Sequence, residues 1–127
     1  MKLQNQQFGE FEFDEKIILH FADGLLGFEE FKKFVLITKD NDLFFWLTSI
    51  DEPELVFPIF PVKMIEENYP DYNESEPFGI VKLDKDPLNI SINLKAPVYI
   101  NQKNNTGEQK IIDKENYQVD YKLFTEN

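Results

Sequence analysis

The chain has no cysteine, no arginine and a single histidine, His20, among its 127 residues. The missing cysteines exclude disulfides, thiolate nucleophiles and cysteine-based metal sites. Binding to a nucleic-acid backbone depends on cationic donors, of which arginine is the best planar one, so direct binding to RNA or DNA is not expected. A catalytic triad would have to use His20, which has no serine beside it. These absences favour a protein that is not an enzyme and needs no cofactor or metal.

Long apolar runs are also missing. The first eleven residues lack the apolar segment of a secretory signal, and no later stretch approaches the roughly 18 apolar residues of a membrane span. We therefore expect a cytoplasmic protein without membrane contact. The length fits one compact domain, and we expect residues 1–127 to form a single unit.

Acidic residues dominate the charge. Twenty-four aspartates and glutamates stand against thirteen basic residues, all of them lysine, which gives a formal charge of −11. Such a field favours a basic macromolecular partner. Net acidity that merely keeps the protein soluble explains the charge equally well at this stage.

What the chain does contain is a series of short apolar runs. They alternate, are rich in aromatic and β-branched residues, recur about once per dozen residues, and are separated by turn-forming residues. This pattern predicts an all-β fold, a small antiparallel β-barrel-like domain or a sandwich, with short helical connectors at 27–34 and 62–69. The predicted strands are 11–13, 16–21, 33–38, 44–50, 55–60, 79–83, 89–94, 97–100, 109–112 and 117–123.

The stretch SINLKAPVYIN, residues 91–101, is a strand pattern interrupted by polar residues and a proline. Proline lacks the N–H that a central strand needs, so Pro97 predicts a break and a bend at residues 95–96. Asn93 and Asn101 are then placed to cap exposed backbone at the ends of the bend. By the same argument, Pro58 and Pro61 predict that residues 55–60 form an edge strand.

Two alternatives of other classes remain open on the residues alone. Asp51 and Glu54, with Glu52 between them, would supply the paired carboxylates of a small β-barrel hydrolase, although a solvated turn also explains them. Trp46 and its aromatic neighbours would serve a carbohydrate-binding β module, provided that the tryptophan is exposed.

Three stretches together resemble the flagellar assembly factor FliW family. They are FADGLLGFEEFKKFVL (21–36), FFWLTSIDEPELVFPI (44–59) and INLKAPVYIN (92–101), the last followed by TGEQKII and YQVDYKL. The resemblance covers about residues 8–123. The chain departs from the family pattern at two places. Leu26 stands where a proline is usual, and Phe60-Pro61 stands where an Asp-Pro pair is usual.

The resemblance implies a non-enzymatic β-barrel-like protein with two partners. One is flagellin, held in the cytoplasm before export. The other is the RNA-binding regulator CsrA, which represses flagellin translation and is antagonised by family members that are free of flagellin. We expect this chain to act as such a switch and to be monomeric, since its prolines limit pairing between strand edges.

Matching positions give the expected partner-binding residues. The acidic run Asp51, Glu52 and Glu54 is the first candidate for contact by charge, and Pro70, Asp71 and Tyr72 are the second. Asn93, Lys95 and Asn101 also match, but a corner that fixes the barrel explains them better than direct contact. Gly24, Gly27 and Phe28 are expected to form a turn with its anchor.

Overall fold

Short strands account for most of the regular structure in the computed structural model, which describes residues 1–125. In that part of the chain, single-turn 3-10 helices occupy Glu15–Ile17, Val62–Met64 and Pro87–Asn89. No helix there is long and apolar enough to cross a membrane. The strands are β1 (Lys2–Asn5), β2 (Gly9–Glu12), β3 (Leu19–His20), β4 (Lys33–Ile37), β5 (Phe45–Ser49), β6 (Val56–Pro61), β7 (Glu76–Lys82), β8 (Ser91–Ile92), β9 (Val98–Asn101), β10 (Thr106–Gln109) and β11 (Tyr121–Lys122).

Seven strands close into a barrel in the order β7-β6-β5-β4-β3-β10-β9, and β9 pairs back with β7. Strands β8 and β11 extend the sheet beyond β7, while β1 and β2 form a separate hairpin. All pairings are antiparallel except that of β3 with β10, which is parallel and joins only His20 to Thr106. The predicted all-β barrel is therefore confirmed, with one parallel seam that the pattern did not predict.

Alternate residues of the barrel strands fill its interior. This follows from the two-residue period of a strand, which sends neighbouring side chains to opposite faces. At the β3–β10 seam, Gly107 lets the wall approach the buried Phe21, because a Cβ at Gly107 would lie 2.1 Å from the ring. The buried interior consists of Leu19, Phe21, Leu25, Phe34, Leu47, Ile59, Phe78, Val98 and Ile100.

Segments of the chain itself cover two parts of the barrel's outer wall. The β1–β2 hairpin packs Leu3 against Val35 and Trp46 on the outside of β4 and β5. Further round, Tyr69 and Leu94 pack against the outward side chains of β6, β7 and β8. The remaining outer wall is formed by β3, β10 and β9, where Tyr72 packs against the buried Tyr99 of β9.

The prediction that residues 55–60 form an edge strand is wrong, since β6 lies between β5 and β7. Its register explains how the prolines are accommodated. Strand β6 pairs with β5 over Val56–Ile59 and with β7 over Ile59–Pro61. Pro58 and Pro61 thus each lie where one side of β6 has no partner, and a missing N–H on that side costs no ladder bond.

The helical connector predicted at 27–34 is also wrong. Gly24 and Gly27 adopt positive φ angles of 64° and 85°, and Leu25 forms an isolated bridge with Phe28. The Glu29 carboxylate accepts a hydrogen bond from the Gly27 N–H at 2.8 Å, which lowers the pKa of Glu29. The segment is a glycine turn anchored by the half-buried Phe28, as the glycines predicted. The second connector is confirmed only as the 3-10 turn Val62–Met64.

Candidate functional site

The acidic turn, residues Asp51–Glu54, connects β5 to β6 at the surface. Ser49 Oγ accepts a hydrogen bond from the Glu52 N–H at 3.1 Å, and the Glu52 carbonyl accepts one from the Leu55 N–H at 2.8 Å. These bonds fix the backbone while the side chains of Asp51 and Glu52 remain exposed. Neither carboxylate forms an ion pair with any residue of 1–125.

Glu54 differs from its neighbours because it holds the N-terminal hairpin. Both of its carboxylate oxygens accept from the Gln6 N–H, at 3.1 and 3.3 Å. Asn5 Nδ2 also donates to the Pro53 carbonyl at 3.0 Å. The charge available to a partner is therefore chiefly that of Asp51 and Glu52, whereas Glu54 also stabilises the docking of the hairpin.

The corner, residues Asn93–Pro97, lies between β8 and β9. Asn93 Oδ1 accepts from the backbone N–H groups of Lys95 and Ala96, at 2.9 and 3.0 Å. Asn101 repeats the arrangement after β9, where Oδ1 accepts from the N–H groups of residues 103 and 104 at 3.0 and 3.1 Å. Pro97 is buried and Lys95 is half-buried. The predicted bend and its two asparagine caps are confirmed.

Residues 70–72 are held against β9 by aromatic packing. Tyr99 donates its hydroxyl to the Pro70 carbonyl at 2.8 Å, and burial, followed by the charge of Asp71, raises the pKa of Tyr99. The rings of Tyr72 and Tyr99 meet edge to face with centroids 5.6 Å apart. Asp71 is exposed and forms an ion pair with Lys63.

The wall cleft is the space over the outer face of β3, β10 and β9, with residues 72–75 along one side. Its volume is about 630 Å³. It brings together two of the predicted site residues, Tyr72 and Asn101, with His20 and Asp23, which the sequence did not assign to a site. No motif marks these last two residues; they lie near Asn101 because β10 pairs with β3 on one side and with β9 on the other. The lining is His20, Ala22, Asp23, Tyr72, Asn73, Glu74, Ser75, Tyr99, Asn101, Asn104, Thr106, Gly107 and Glu108.

The mouth groove is a second concavity, of about 500 Å³, at one end of the barrel. All three stretches that carry the family resemblance contribute residues here, and the first and third are directly linked. Gln109 joins them, since its Oε1 accepts from the Leu26 N–H at 2.8 Å and its Nε2 donates to the Ala96 carbonyl at 3.0 Å. The lining is Leu26, Phe28, Phe57, Ile80, Val81, Lys82, Ser91, Asn93, Ala96, Gln109, Val119 and Asp120.

Two apolar side chains of the mouth groove remain open to solvent: Leu26 is 53% exposed and Val119 60% exposed. The acidic turn does not contribute to the lining of either concavity. The predicted site residues thus fall into separate surfaces rather than one site.

The structure supports neither the hydrolase alternative nor the carbohydrate-binding alternative. Trp46 is only 8% exposed, and its indole N–H donates to Asp42 Oδ2 at 2.7 Å. The carbohydrate-binding alternative required an exposed tryptophan and is wrong. The hydrolase alternative gains no support, because Glu54 is engaged by the backbone of Gln6 rather than poised beside Asp51.

The closed barrel and its acidic surface define a class, that of small acidic β-barrel proteins. A family model described as FliW protein matches residues 2–123. The chain belongs to the FliW family.

Similar proteins support the same assignment. Flagellar assembly factor FliW of Clostridium kluyveri is 37% identical, covering 98% of this chain and 96% of its own. The protein of the same name from Clostridium botulinum is 34% identical, covering 99% of both chains. A crystal structure of the flagellar assembly factor FliW superposes with a TM-score of 0.86 at 27% identity, covering 98% of each chain.

Proposed function

We propose that the chain is a cytoplasmic partner switch that binds flagellin and, when free of flagellin, binds and antagonises CsrA. The observation that carries the CsrA arm is the acidic turn, where Asp51 and Glu52 are exposed and have no cation beside them within residues 1–125. The RNA-binding surface of a protein must be basic, because contacts with phosphates dominate the affinity for RNA. The acidic turn is complementary to such a surface.

The charge also suggests how antagonism works. A chain with a net charge of −11 attracts a basic partner and repels RNA phosphates in its neighbourhood. Bound CsrA would therefore lose affinity for RNA even if its RNA-binding residues stayed uncovered. Salt weakens both effects, since the Debye length is about 8 Å at physiological ionic strength.

For flagellin we propose the mouth groove. Two of its exposed side chains, Leu26 and Val119, are apolar, and the exposed Lys82 and Asp120 lie in the same lining. Apolar grooves of this kind accept the apolar face of a partner segment. The groove is also built from all three resemblance stretches, of which the first and third are joined through Gln109.

Calorimetric titration of the protein with CsrA from the same organism tests the proposal. We expect saturable binding that weakens between low and physiological salt and that is suppressed when monomeric flagellin is bound first. No binding to CsrA would refute the CsrA arm, and an affinity indifferent to salt would refute its electrostatic basis.

The flagellin arm has a matched pair of variants. Leu26→Glu places a charge in the mouth groove, whereas Leu88→Glu places one at a side chain that is also exposed, at 39%, but lies outside the groove. We expect only Leu26→Glu to weaken flagellin binding. Equal affinities of the two variants would show that flagellin binds elsewhere.

A further inference from the structure

The wall cleft lies over the outer faces of β3, β10 and β9, beside the contact between Tyr72 and Tyr99. By strand alternation, His20, Thr106 and Asn101 point outward, because their neighbours Leu19, Phe21 and Ile100 fill the interior. A volume of about 630 Å³ lies within the range of sites that hold small ligands or short peptide segments. The surface is concave, and its lining combines carboxylate and amide side chains with two tyrosine rings.

Asn101 supplies a hydrogen-bond donor without a partner. The residue is 7% exposed, and its Oδ1 is occupied by two backbone N–H groups, which fixes the side chain. Its Nδ2 donates to no group in residues 1–125, yet no buried polar side-chain atom in that range lacks a partner. The nitrogen is therefore accessible to solvent, on a residue that lines the cleft. An amide donor that is fixed in position and has no protein partner favours binding of an acceptor such as a peptide carbonyl.

The second feature of the cleft is a carboxylate that has no cation beside it in the described part of the chain. Glu74 and Glu108 are already paired with Lys103 and Lys110, at 3.6 and 3.5 Å. Asp23 has no cation within ion-pair distance in the described chain. It is therefore the carboxylate in the cleft that is open to a cation.

Aromatic stacking of a sugar is disfavoured in the same cleft. Lys110 Nζ lies 3.7 Å from the centroid of the Tyr72 ring, and Tyr99 packs against that ring edge to face. A ring with an ammonium group over one face is a poor platform for stacking a sugar. The chemistry that remains is a carbonyl acceptor for Asn101 and a cation for Asp23.

We propose that the wall cleft is a second contact site for a basic protein partner, which binds an extended segment through one lysine or arginine side chain. The cation pairs with Asp23 while a carbonyl of the same segment accepts from Asn101 Nδ2. This inference rests on the proposed binding of a basic partner and gives it an anchor distinct from the acidic turn.

Nuclear magnetic resonance titration of the ¹⁵N-labelled full chain tests the inference. The probe is the capped peptide Gly-Ser-Arg-Ser-Gly, and its control replaces arginine by citrulline, which is neutral and of similar shape. We expect saturable shifts of the Asn101 side-chain amide signals and of the Asp23 backbone amide, at least about fivefold weaker in affinity with citrulline. No saturable shift at these groups, or equal affinity for both peptides, would overturn the inference.

Two variants that each remove one negative charge locate the binding site of the arginine peptide. Asp23→Asn removes the cleft carboxylate, and Asp51→Asn removes one from the acidic turn. We expect only Asp23→Asn to weaken binding of the arginine peptide, by about fivefold, with the remaining spectrum unchanged as evidence of folding. An equal effect of both variants would show attraction by net charge alone and overturn the cleft assignment.

Titration with CsrA separates this inference from the proposed function. If CsrA binds and the peptide gives no shifts in the cleft, the cleft assignment fails and the proposed function stands. If the arginine peptide binds as expected and CsrA does not, the cleft is supported as a cation site and the CsrA arm fails.

Discussion

The acidic turn and the corner both match the family pattern, but their surroundings are opposite. In the acidic turn, the carboxylates of Asp51 and Glu52 extend into solvent and contact no cation of the described chain. In the corner, Asn93 is half-buried and its side-chain oxygen accepts two backbone N–H groups. Similar motif matches therefore mark different roles. Polar atoms that are used up inside the fold stabilise it, and those left open are available to partners.

The comparison predicts that stability depends on the corner and partner affinity on the acidic turn. Changes near the corner should lower the free energy of unfolding, whereas changes in the acidic turn should leave it almost unchanged.

The largest effect is expected for Gly79→Ala, directly beneath the corner. A Cβ at Gly79 would lie 2.4 Å from Ile92 Cγ1 and 2.9 Å from the Asn93 carbonyl oxygen. Overpacking of this kind costs about 3 kcal/mol in a well-packed core. Urea unfolding measures the loss in the free energy of unfolding. A variant as stable as the original chain would show that the corner can shift to accommodate the added Cβ at little cost.

Asn93→Ala is expected to cost about 2 kcal/mol, because it leaves the N–H groups of Lys95 and Ala96 without their acceptor. Asn93→Asp keeps an oxygen in the same place and serves as the matched control. Thermal unfolding should rank the control close to the original chain and well above the alanine variant. If both variants unfold alike, the oxygen of Asn93 is not what holds the bend.

Tyr69→Phe should cost about 1 kcal/mol near neutral pH, since the hydroxyl donates to the Leu94 carbonyl at the corner. Burial also raises the pKa of Tyr69 above its usual value near 10. As pH rises, the unfolded chain therefore loses the hydroxyl proton of Tyr69 at a lower pH than the folded chain does. The stability contributed by the protonated Tyr69 is complete below pH 10 and declines as pH rises further.

The phenylalanine variant lacks that contribution. Its stability should fall less steeply than that of the original chain above pH 10, where Tyr99, whose pKa is also raised, still contributes to both. Parallel slopes in urea unfolding between pH 9 and 11 would contradict a buried, neutral Tyr69.

The smallest effect on stability is expected for Asp51→Asn combined with Glu52→Gln. The two side chains are exposed and unpaired in the described chain, so the free energy of unfolding should change by less than about 0.5 kcal/mol. Asp23→Asn in the wall cleft is a control of the same kind. A loss of more than about 1 kcal/mol would mean that the acidic turn, like the corner, stabilises the fold.

Most of the barrel could be predicted because strand periodicity is a local signal. Residues 33–38, 44–50 and 97–100 were predicted nearly as they occur, in β4, β5 and β9. The errors have tertiary causes. Pro58 and Pro61 predict an edge strand, but the staggered register of β6 accommodates them inside the sheet. Strand β1 has no apolar alternation to reveal it, because of its two buried residues only Leu3 is apolar and the other is Asn5.

The surfaces were less predictable than the strands. Asp51 and Glu52 could be found because they are adjacent in sequence and close to a strand end. The wall cleft could not, because Asp23 and Asn101 meet only through the single parallel pairing of His20 with Thr106. A parallel contact between strands so far apart in the chain leaves no periodic trace in either strand.

The most direct test of the account is the affinity for CsrA of the Asp51→Asn, Glu52→Gln variant, measured by calorimetry at low salt beside the original chain and Asn93→Asp. We predict that the acidic-turn variant binds about tenfold more weakly, at an unchanged melting temperature, while Asn93→Asp binds like the original chain. Equal affinity of all three proteins would contradict the assignment of the acidic turn to the partner.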